Sequence, residues 1–242
     1  MKIFIAGNND HKINWANNNF FDFNRLESFF YIKDERKLIH KYKSFLLDSG
    51  AFTFMNQQKG KVDWHQYIEN YANFINTYKV NHFFELDIDS IVGIYEVEKL
   101  RNKLELLTGK QCIPVWHKSR GLEYWKKMTK EYNYVAIGGI VTKEIKKQEY
   151  GMFTALLQLA KKEQCKVHGL GFTNMDLLKK YPFYSVDSTT WLSGKRFGEL
   201  HKFTGDGIKA YKKSNCRVNS VDAAINNFNE WIRFSKYAEI YL

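Results

Sequence analysis

Residues 134–140 read Tyr-Val-Ala-Ile-Gly-Gly-Ile, a short apolar run that ends abruptly in two glycines. A short run rich in β-branched and aromatic residues is typical of a buried β-strand. The same pattern, followed by a polar or small residue and then by a helical stretch, recurs along the chain. The other runs are Lys2–Ala6, Ser44–Leu47, His82–Ile88, Cys112–Trp116, Lys166–Leu170 and Phe183–Val186. We therefore predict a series of short buried strands.

Amphipathic helical stretches separate these strands. Asp63–Tyr78 places apolar side chains three and four residues apart, which gives a helix one core-facing side. Ile91–Leu107 and Met152–Lys162 have the same character. Strands that alternate with helices form parallel βαβ units, and such units build either a doubly wound sheet or a (β/α)8 barrel.

The ends of the strands favour the barrel. Polar or small residues follow nearly every run, namely Asn8, Asp48, Asp87, His117, Gly138, Gly139, Gly169 and Asp187. In a barrel all carboxyl ends meet at one rim, whereas in an open sheet only the switch point collects such residues. No glycine-rich dinucleotide or phosphate loop opens any of the helices. We predict a TIM-type (β/α)8 barrel with its site at that rim.

The alternation of strands and helices ends after the last of these strands. Phe197–Thr204, a Gly-Asp-Gly turn at 205–207 and Ile208–Lys213 predict a β-hairpin, and Val221–Tyr237 predicts a closing helix. An eighth strand is not evident, so the barrel is expected to be irregular at its last strand. With two prolines and no linker-like stretch, residues 1–242 are expected to form one domain.

The composition is basic, with 37 Lys and Arg against 26 Asp and Glu and a net charge of +11. This charge predicts attraction to a polyanion, most commonly nucleic acid, although a generally basic soluble protein is the alternative. The excess is mostly lysine, which suits phosphate contacts better than base reading. The cations expected to contact a nucleic-acid backbone are Lys143, Lys195, Arg196, Lys209, Lys212 and Lys213.

Cysteine usage and the N-terminus bear on the compartment. Cys112, Cys165 and Cys216 lie far apart without a CxxC pair, which argues against a disulfide framework and a zinc knuckle. The first apolar run is too short for a signal peptide, and no segment has the length of a membrane span. We expect a cytoplasmic protein with no metal and no membrane association.

Two carboxylates at strand ends are the strongest candidates for chemistry. Asp48 and Asp187 each follow a predicted buried strand. Paired carboxylates on one rim suit glycosyl chemistry, in which one attacks carbon and the other moves protons. A helix cap or a turn aspartate is the alternative interpretation of Asp48.

A second acidic group is the segment Glu85-Leu-Asp87-Ile-Asp89. Alternation along a strand sends its three carboxylates to one face, where they repel unless a metal or a donor-rich ligand separates them. A metal site is conceivable, although the strand lacks a nearby histidine. A purine that offers N–H donors is the other interpretation, and a solvated strand end is the alternative. His117 and His168 also lie at strand ends, where packing is a more common role than substrate contact.

Four motifs, in the same order, resemble those of the tRNA-guanine transglycosylases. Residues 134–140, YVAIGGI, look like the family's YAIGG-L segment, and residues 48–52, DSGAF, are similar to its DSGGF motif. VHGLG at 167–171 with DLL at 176–178 resembles LMGVG…DLL, and SVD at 185–187 falls at the spacing of D-x-F-D. Together these motifs extend over most of the chain.

The resemblance implies roles for individual residues. Asp187 would attack C1′ of a guanosine and form a covalent sugar–enzyme intermediate, and Asp48 would be the general acid/base. Asp87, Gly138 and Gly139 match positions that hold the purine edge. Further predicted substrate-binding residues are Ser49, His117 and His168, which match pocket positions, and the strand-end residues Asp89 and Gly169. The resemblance implies no cofactor.

Departures from the family bear on the substrate. The tRNA enzymes carry a CxCxxC…H zinc site after the nucleophile, whereas here that region holds only Cys216, so we expect no zinc subdomain. The chain is also much shorter, and Gly-Gly-Phe-Gln has become Gly-Ala-Phe-Thr at 50–53. Short, zinc-free relatives resemble the phage-type branch that inserts 7-deazaguanines such as preQ0 into DNA. We therefore expect two partners, nucleic acid (DNA rather than tRNA) and a free preQ0-like base, in the host cytoplasm if a phage encodes the chain.

Three alternatives stay open. One is a tRNA-guanine transglycosylase that lacks the zinc module, the second is a non-catalytic nucleic-acid-binding paralogue, and the third is a metal-dependent barrel hydrolase. The presence of both Asp48 and Asp187 speaks against the second. The shortage of metal-ligating side chains speaks against the third.

Overall fold

The computed structural model describes residues 1–7, 20–32, 34–50, 53, 62–212 and 219–242, and only the backbone of residues 34, 35, 195 and 196. The strand-end residue Asn8 lies outside the described residues. So do Ala51 and Phe52 of the DSGAF motif, and Lys213 and Cys216 near the hairpin.

The predicted α/β class is confirmed, and a parallel β-sheet of seven strands forms the centre of the fold. The strands are β1 (Lys2–Ala6), β2 (Phe21–Ser28), β3 (Tyr42–Asp48), β4 (Val115–Trp116), β5 (Tyr134–Ile137), β6 (Lys166–Gly169) and β7 (Ser185–Ser188). Their order across the sheet is β3-β2-β1-β7-β6-β5-β4, and all neighbours are parallel. The sheet curls into a half-barrel.

Helices cover the outer face of this sheet. They are α1 (Trp64–Thr77), α2 (Asp89–Val92), α3 (Ile94–Thr108), α4 (Gly121–Glu131), α5 (Met152–Lys162), α6 (Met175–Leu178), α7 (Ser193–Phe197) and α8 (Ser220–Tyr241). The amphipathic stretch predicted at Asp63–Tyr78 forms α1, and Asp63 caps this helix by accepting the N–H of Gln66. None of the helices in the described ranges is long and apolar enough to cross a membrane.

The two edge strands, β3 and β4, approach each other through a short segment between them. Leu47 of β3 forms a parallel bridge with Phe83, and Phe84 forms one with Ile113, which lies just before β4. The predicted strand His82–Ile88 is therefore reduced to two single-residue bridges.

The Glu85 side chain explains why this strand stops. The backbone N–H of Glu85 still donates to the carbonyl of Ile113 at 3.1 Å. The N–H of Val115, however, donates to Glu85 Oε1 at 2.8 Å instead of to a backbone carbonyl. A carboxylate thus replaces a partner of the backbone ladder, and the chain turns into α2.

Strand β2 is absent from the predicted strands because charged residues interrupt its apolar run, FDFNRLES. Arg25 and Glu27 are buried and form an ion pair with each other. Arg25 also donates to the carbonyl oxygens of Ile5 and Gly7, at the end of β1. The last strand, β7, pairs regularly with β1. No described segment after β7 joins this sheet as an eighth strand, and the irregular position of the sheet lies at residues 83–84.

The sheet separates two buried apolar clusters. The larger lies between the sheet and the helices. The smaller contains Phe4, Ala6, Leu26, Leu46, Phe84, Ile113, Val115 and Ala136. These residues come from strands at both ends of the sheet, so the smaller cluster fills its concave side. Because strand residues two apart share a face, Asp48, His117 and Gly138 also point to that side, at the carboxyl ends.

The C-terminal part of the chain confirms the predicted hairpin and helix. Strands β8 (Leu200–Phe203) and β9 (Ile208–Tyr211) pair antiparallel. The N–H groups of His201 and Phe203 donate to side chains of α8, at 2.7 Å and 2.6 Å. At the other end of α8, the carbonyl of Ala238 accepts the N-terminal ammonium at 3.0 Å. The last helix thus joins the hairpin to the start of β1.

Candidate active site

The concave side of the sheet brings together side chains that are far apart in sequence. Asp48 is the last residue of β3, and Asp187 lies near the end of β7. His117 follows β4 directly, and Gly138 follows β5. The charges of Asp87 and Asp187 both act on Asp48, so three carboxylates share one site.

Asp48 has the environment of an acid/base group. Burial raises the pKa of its carboxyl to about 7, and the negative charges of Asp87 and Asp187 contribute to the rise. The N–H of Gly50, 3.3 Å from Oδ2, and the hydroxyl of Ser28 act in the opposite direction. Asp48 can therefore gain or lose a proton near neutral pH, as general acid/base catalysis requires.

Asp187 is held by two donors on the same oxygen. Its Oδ1 accepts the backbone N–H of Gly171 at 2.7 Å and lies 3.2 Å from Nε2 of His168. Gly171 has a φ of +66°, and a side chain there would collide with Val141, so glycine is required for this turn. Oδ2 receives no hydrogen bond from the described residues.

His117 lies at the same rim between two acids. Its Nδ1 is 2.9 Å from Glu144 Oε2, and its Nε2 is 3.4 Å from Asp87 Oδ2. Burial opposes its protonation, but the hydrogen bonds and charges of Asp87, Asp89 and Glu144 outweigh this and raise the pKa of His117 to about 9. His117 is therefore an imidazolium at neutral pH, a hydrogen-bond donor beside the carboxylates.

Gly138 and Gly139 make room for this histidine and its partner. A Cβ at Gly138 would lie 2.8 Å from Cε1 of His117 and 2.9 Å from Cγ1 of Val115. Gly139 has a φ of +78°, and a Cβ there would lie 2.7 Å from Oε2 of Glu144. The two glycines thus have a packing role, and their contact with a purine stays a prediction.

The carboxylates of Glu85, Asp87 and Asp89 do not converge on one ligand, contrary to the prediction. Arg120 donates to Glu85 at 2.9 Å through Nη1 and to Asp89 at 2.9 Å through Nε. Arg101 Nη1 donates to Glu85 at 3.2 Å. The chain's own arginines supply the donors for Glu85 and Asp89, whereas Asp87 contacts His117 at the rim. Within the described ranges, no three metal-ligating side chains are grouped as a metal site requires.

The remaining predicted pocket residues lie deeper. Ser49 is fully buried, and its hydroxyl has no hydrogen-bond partner among the described residues. Gly169 faces the outer core, where a Cβ would lie 3.1 Å from Phe172 and 3.2 Å from Phe183, so it serves packing. His168 is fully buried and bonds Asp187 rather than facing the open rim.

Several residues of the site were not predicted from the sequence. They are Arg101, Arg120, Tyr134, Glu144, Gly171 and Ser185. Three of these fall inside the quoted motifs at 134–140, 167–171 and 185–187, where their motif positions could have indicated them. The arginines carry no local signal, because their partner acids are distant in sequence.

The predicted backbone-binding cations lie on the surface where they are described. Lys143 is exposed in the turn after β5, with a φ of +62°. Lys209 and Lys212 are exposed on the hairpin and just after it. The side chains of Lys195 and Arg196, and the whole of Lys213, lie outside the described part of the chain. Phosphate contact therefore stays a prediction for all six.

Comparison with known proteins gives no family. No protein-family model matches this chain, and no curated protein matches it. The likeness to the tRNA-guanine transglycosylases thus rests on the four quoted motifs alone. The function has to be inferred from the chemistry of the rim.

Proposed function

We propose that this chain is a DNA-guanine transglycosylase, which exchanges guanine in DNA for a 7-deazaguanine such as preQ0. The observation that carries the proposal is a pair of carboxylates at one rim in different environments. Asp48 has a pKa raised to about 7, whereas Asp187 accepts N–H donors from Gly171 and His168. Carboxylates whose environments differ in this way can divide the roles of acid/base and nucleophile.

The reaction consists of two displacements at C1′ of the deoxyribose. Oδ2 of Asp187 attacks C1′ while the bond from C1′ to the guanine nitrogen breaks, and the bonding pair leaves with the base. Protonated Asp48 donates its proton to the departing guanine. The resulting Asp48 carboxylate takes a proton from the incoming base, whose nitrogen then attacks C1′ and releases Asp187. Two inversions retain the configuration of the sugar.

The base would be recognised by the groups beside this pair. Guanine and 7-deazaguanines present N–H donors and a carbonyl oxygen on one edge. Asp87 supplies an acceptor for the donors, and the Nε2–H of the His117 imidazolium, which lies 3.4 Å from Asp87, would donate to the oxygen by turning from Asp87 to the base. This division of donor and acceptor favours a keto-amino base over adenine, whose amino group has the opposite polarity.

We propose that the fold that carries this site is a closed (β/α)8 barrel. In such a barrel the segment around Phe83 and Phe84, which bridges to β3 and to Ile113, would be the eighth strand between the two edge strands. The concave apolar cluster, drawn from strands at both ends of the sheet, is the packing expected inside a barrel. Catalytic residues at the carboxyl ends of its strands fit the same architecture.

The acceptor nucleic acid would be held through its phosphates. A net charge of +11, mostly from lysine, favours contact with a polyanionic backbone. We assign this role to Lys143, Lys195, Arg196, Lys209, Lys212 and Lys213. DNA is the proposed substrate over tRNA because the zinc subdomain of the tRNA enzymes has no counterpart in the sequence. The reaction would take place in the cytoplasm, where DNA and free base are both present.

An exchange assay tests this function. Purified protein is incubated with radiolabelled guanine and either duplex DNA or tRNA of matched guanine content, and label in the polymer is counted. We expect label in DNA, and we expect added preQ0 to compete with its incorporation. Asp187→Asn should abolish incorporation, whereas Asp22→Asn, a matched change on the exposed surface of β2, should leave it unchanged.

Two results would count against the proposal. Incorporation into tRNA alone would refute DNA as the substrate while leaving the chemistry in place. No incorporation into either polymer by the folded protein would refute base exchange.

A further inference from the structure

A chain of hydrogen bonds runs through the concave side of the sheet to Asp187. The hydroxyl of Tyr134 is 2.6 Å from Oγ of Ser185, and this oxygen is 2.7 Å from Nδ1 of His168. Nε2 of His168 is 3.2 Å from Oδ1 of Asp187. Both ring nitrogens of this fully buried histidine are therefore used.

The surroundings of His168 leave it little freedom. Its ring centroid is 6.0 Å from that of Phe4 and 5.3 Å from that of Phe84, both members of the concave apolar cluster. A polar ring packed between aromatic residues is stable there only while its nitrogens keep their partners. The imidazole is thus fixed in place and orientation.

One arrangement of protons gives every member of the chain a hydrogen-bond partner. Burial raises the pKa of Tyr134, so its hydroxyl keeps its proton and can donate to Ser185. Ser185 then donates to Nδ1 of His168, and the N–H at Nε2 donates to Asp187. Every hydrogen in the chain points toward Oδ1 of Asp187, which also accepts the N–H of Gly171.

We propose that Tyr134, Ser185 and His168 position the nucleophile, with His168 as the residue that orients Asp187. Two donors on Oδ1 stop the carboxylate from rotating, so Oδ2 is held for attack on the sugar. The inference rests on the proposed function, because it takes Asp187 as the nucleophile. His168 acts through Asp187 and does not touch the base. This positioning role replaces the substrate-binding role predicted for His168 from the sequence.

Two substitutions separate positioning from packing. His168→Gln keeps an N–H donor near the position of Nε2, whereas His168→Met fills a similar volume with no donor. If His168 only packs against Phe4 and Phe84, the methionine variant should keep a higher kcat for base exchange than the glutamine variant. If His168 positions Asp187, the glutamine variant should keep the higher kcat, because glutamine restores the hydrogen bond to Oδ1.

The measurement is kcat and KM for labelled guanine exchange into DNA. We expect His168→Met to lower kcat roughly 10- to 100-fold with little change in the KM for DNA, as loss of an orienting partner does. His168→Gln should recover most of kcat. If the methionine variant fails to fold, Ser185→Ala removes the partner of Nδ1 and should give a smaller loss of kcat at unchanged KM.

A second readout does not need activity. In nitrogen-15 NMR spectra of the wild-type protein, Nε2 of His168 should carry a proton. An Nε2 without a proton, or equal exchange by the methionine and glutamine variants, would overturn the inference. A wild-type protein that exchanges no base would refute the proposed function instead, so the two failures are distinguishable.

Discussion

The environment of Asp48 lowers the stability of the folded protein when its carboxyl is ionised. Its carboxyl lies among apolar strands and beside two other carboxylates, so the folded protein holds its proton more tightly than the unfolded chain does. At pH values above the raised pKa, the folded state must bear a charge that its surroundings disfavour. A residue selected only for stability would not be an aspartate here.

This cost predicts the effect of Asp48→Asn on stability. The pKa of Asp48 rises on folding from near 4 to about 7, so wild-type stability falls as pH increases through this window and levels off above it. The asparagine variant lacks this loss. We expect it to match the wild type near pH 4 and to be more stable by about 1–3 kcal/mol at pH 8, less than the full ~4 kcal/mol because Asp48 keeps some solvent contact.

Urea unfolding of both proteins between pH 4 and pH 8 measures the difference. Asp22→Asn is the matched control, because the pKa of Asp22 is lowered by Lys236 and Lys43. Its loss should therefore destabilise slightly at pH 8, the opposite sign. A stability difference between Asp48→Asn and wild type that does not change with pH would show that Asp48 ionises as an ordinary surface acid.

The site residues that could be predicted from the sequence are those that lie at the end of an apolar strand. Asp48 and Asp187 stand out in the sequence because an acid at the end of an apolar run needs an explanation. Arg120 does not, because a basic residue before a helix is common on surfaces. Only the folded chain shows that Arg120 reaches Glu85 and Asp89 and so supplies their hydrogen-bond donors.

At the scale of elements, the turn after β5 depends on the absence of a side chain at Gly138. A methyl group there would meet the ring of His117 and Val115. We expect Gly138→Ala to destabilise the protein by about 1–3 kcal/mol, as overpacking of a tight site does. It should also displace His117 from Asp87, so the pKa of His117 should fall toward its ordinary value.

Gly151→Ala at the start of α5 is the control for this substitution. Gly151 has a φ of −53°, and a Cβ there would meet no atom within 4 Å. That variant should be neutral or slightly more stable. Urea unfolding and NMR titration of His117 compare the two. A Gly138→Ala protein with wild-type stability and an unchanged His117 titration would disprove the packing role.

Elements were predictable where local pattern and tertiary environment agree. The apolar runs of β1, β3, β5 and β6 and the stripe of α1 all appear at the expected places. Strand β2 was missed because Arg25 and Glu27 look solvent-exposed in sequence, yet they are buried as a pair. The strand around Phe83 is shorter than predicted because the Glu85 side chain accepts the N–H of Val115, which would otherwise bond to a backbone carbonyl of the sheet.

At the scale of the whole molecule, the positive charge should govern nucleic-acid affinity. Binding that releases counterions weakens steeply with salt, by a logarithmic slope of about 0.9 for each phosphate contact. Replacing Lys143, Lys209 and Lys212 by glutamine together should reduce this slope by up to about 3. Fluorescence anisotropy of a labelled DNA duplex at several salt concentrations measures it.

A second triple variant provides the charge-matched control. Lys99, Lys103 and Lys127 are already paired with Glu96, Glu69 and Glu98. Their replacement by glutamine changes the net charge equally but should alter the slope much less. Equal slopes for the two triple variants would mean that total charge, rather than a defined surface, attracts the polyanion.

The most direct test of the central claim is the covalent intermediate on Asp187. The wild-type protein is mixed with a short guanine-containing DNA duplex, quenched in acid, digested and examined by mass spectrometry. We predict that a peptide containing Asp187 carries the DNA strand through C1′, that Asp187→Asn yields no adduct, and that Asp22→Asn yields the same adduct as the wild type. An adduct on Asp48, or base exchange with no adduct at Asp187, would contradict the account.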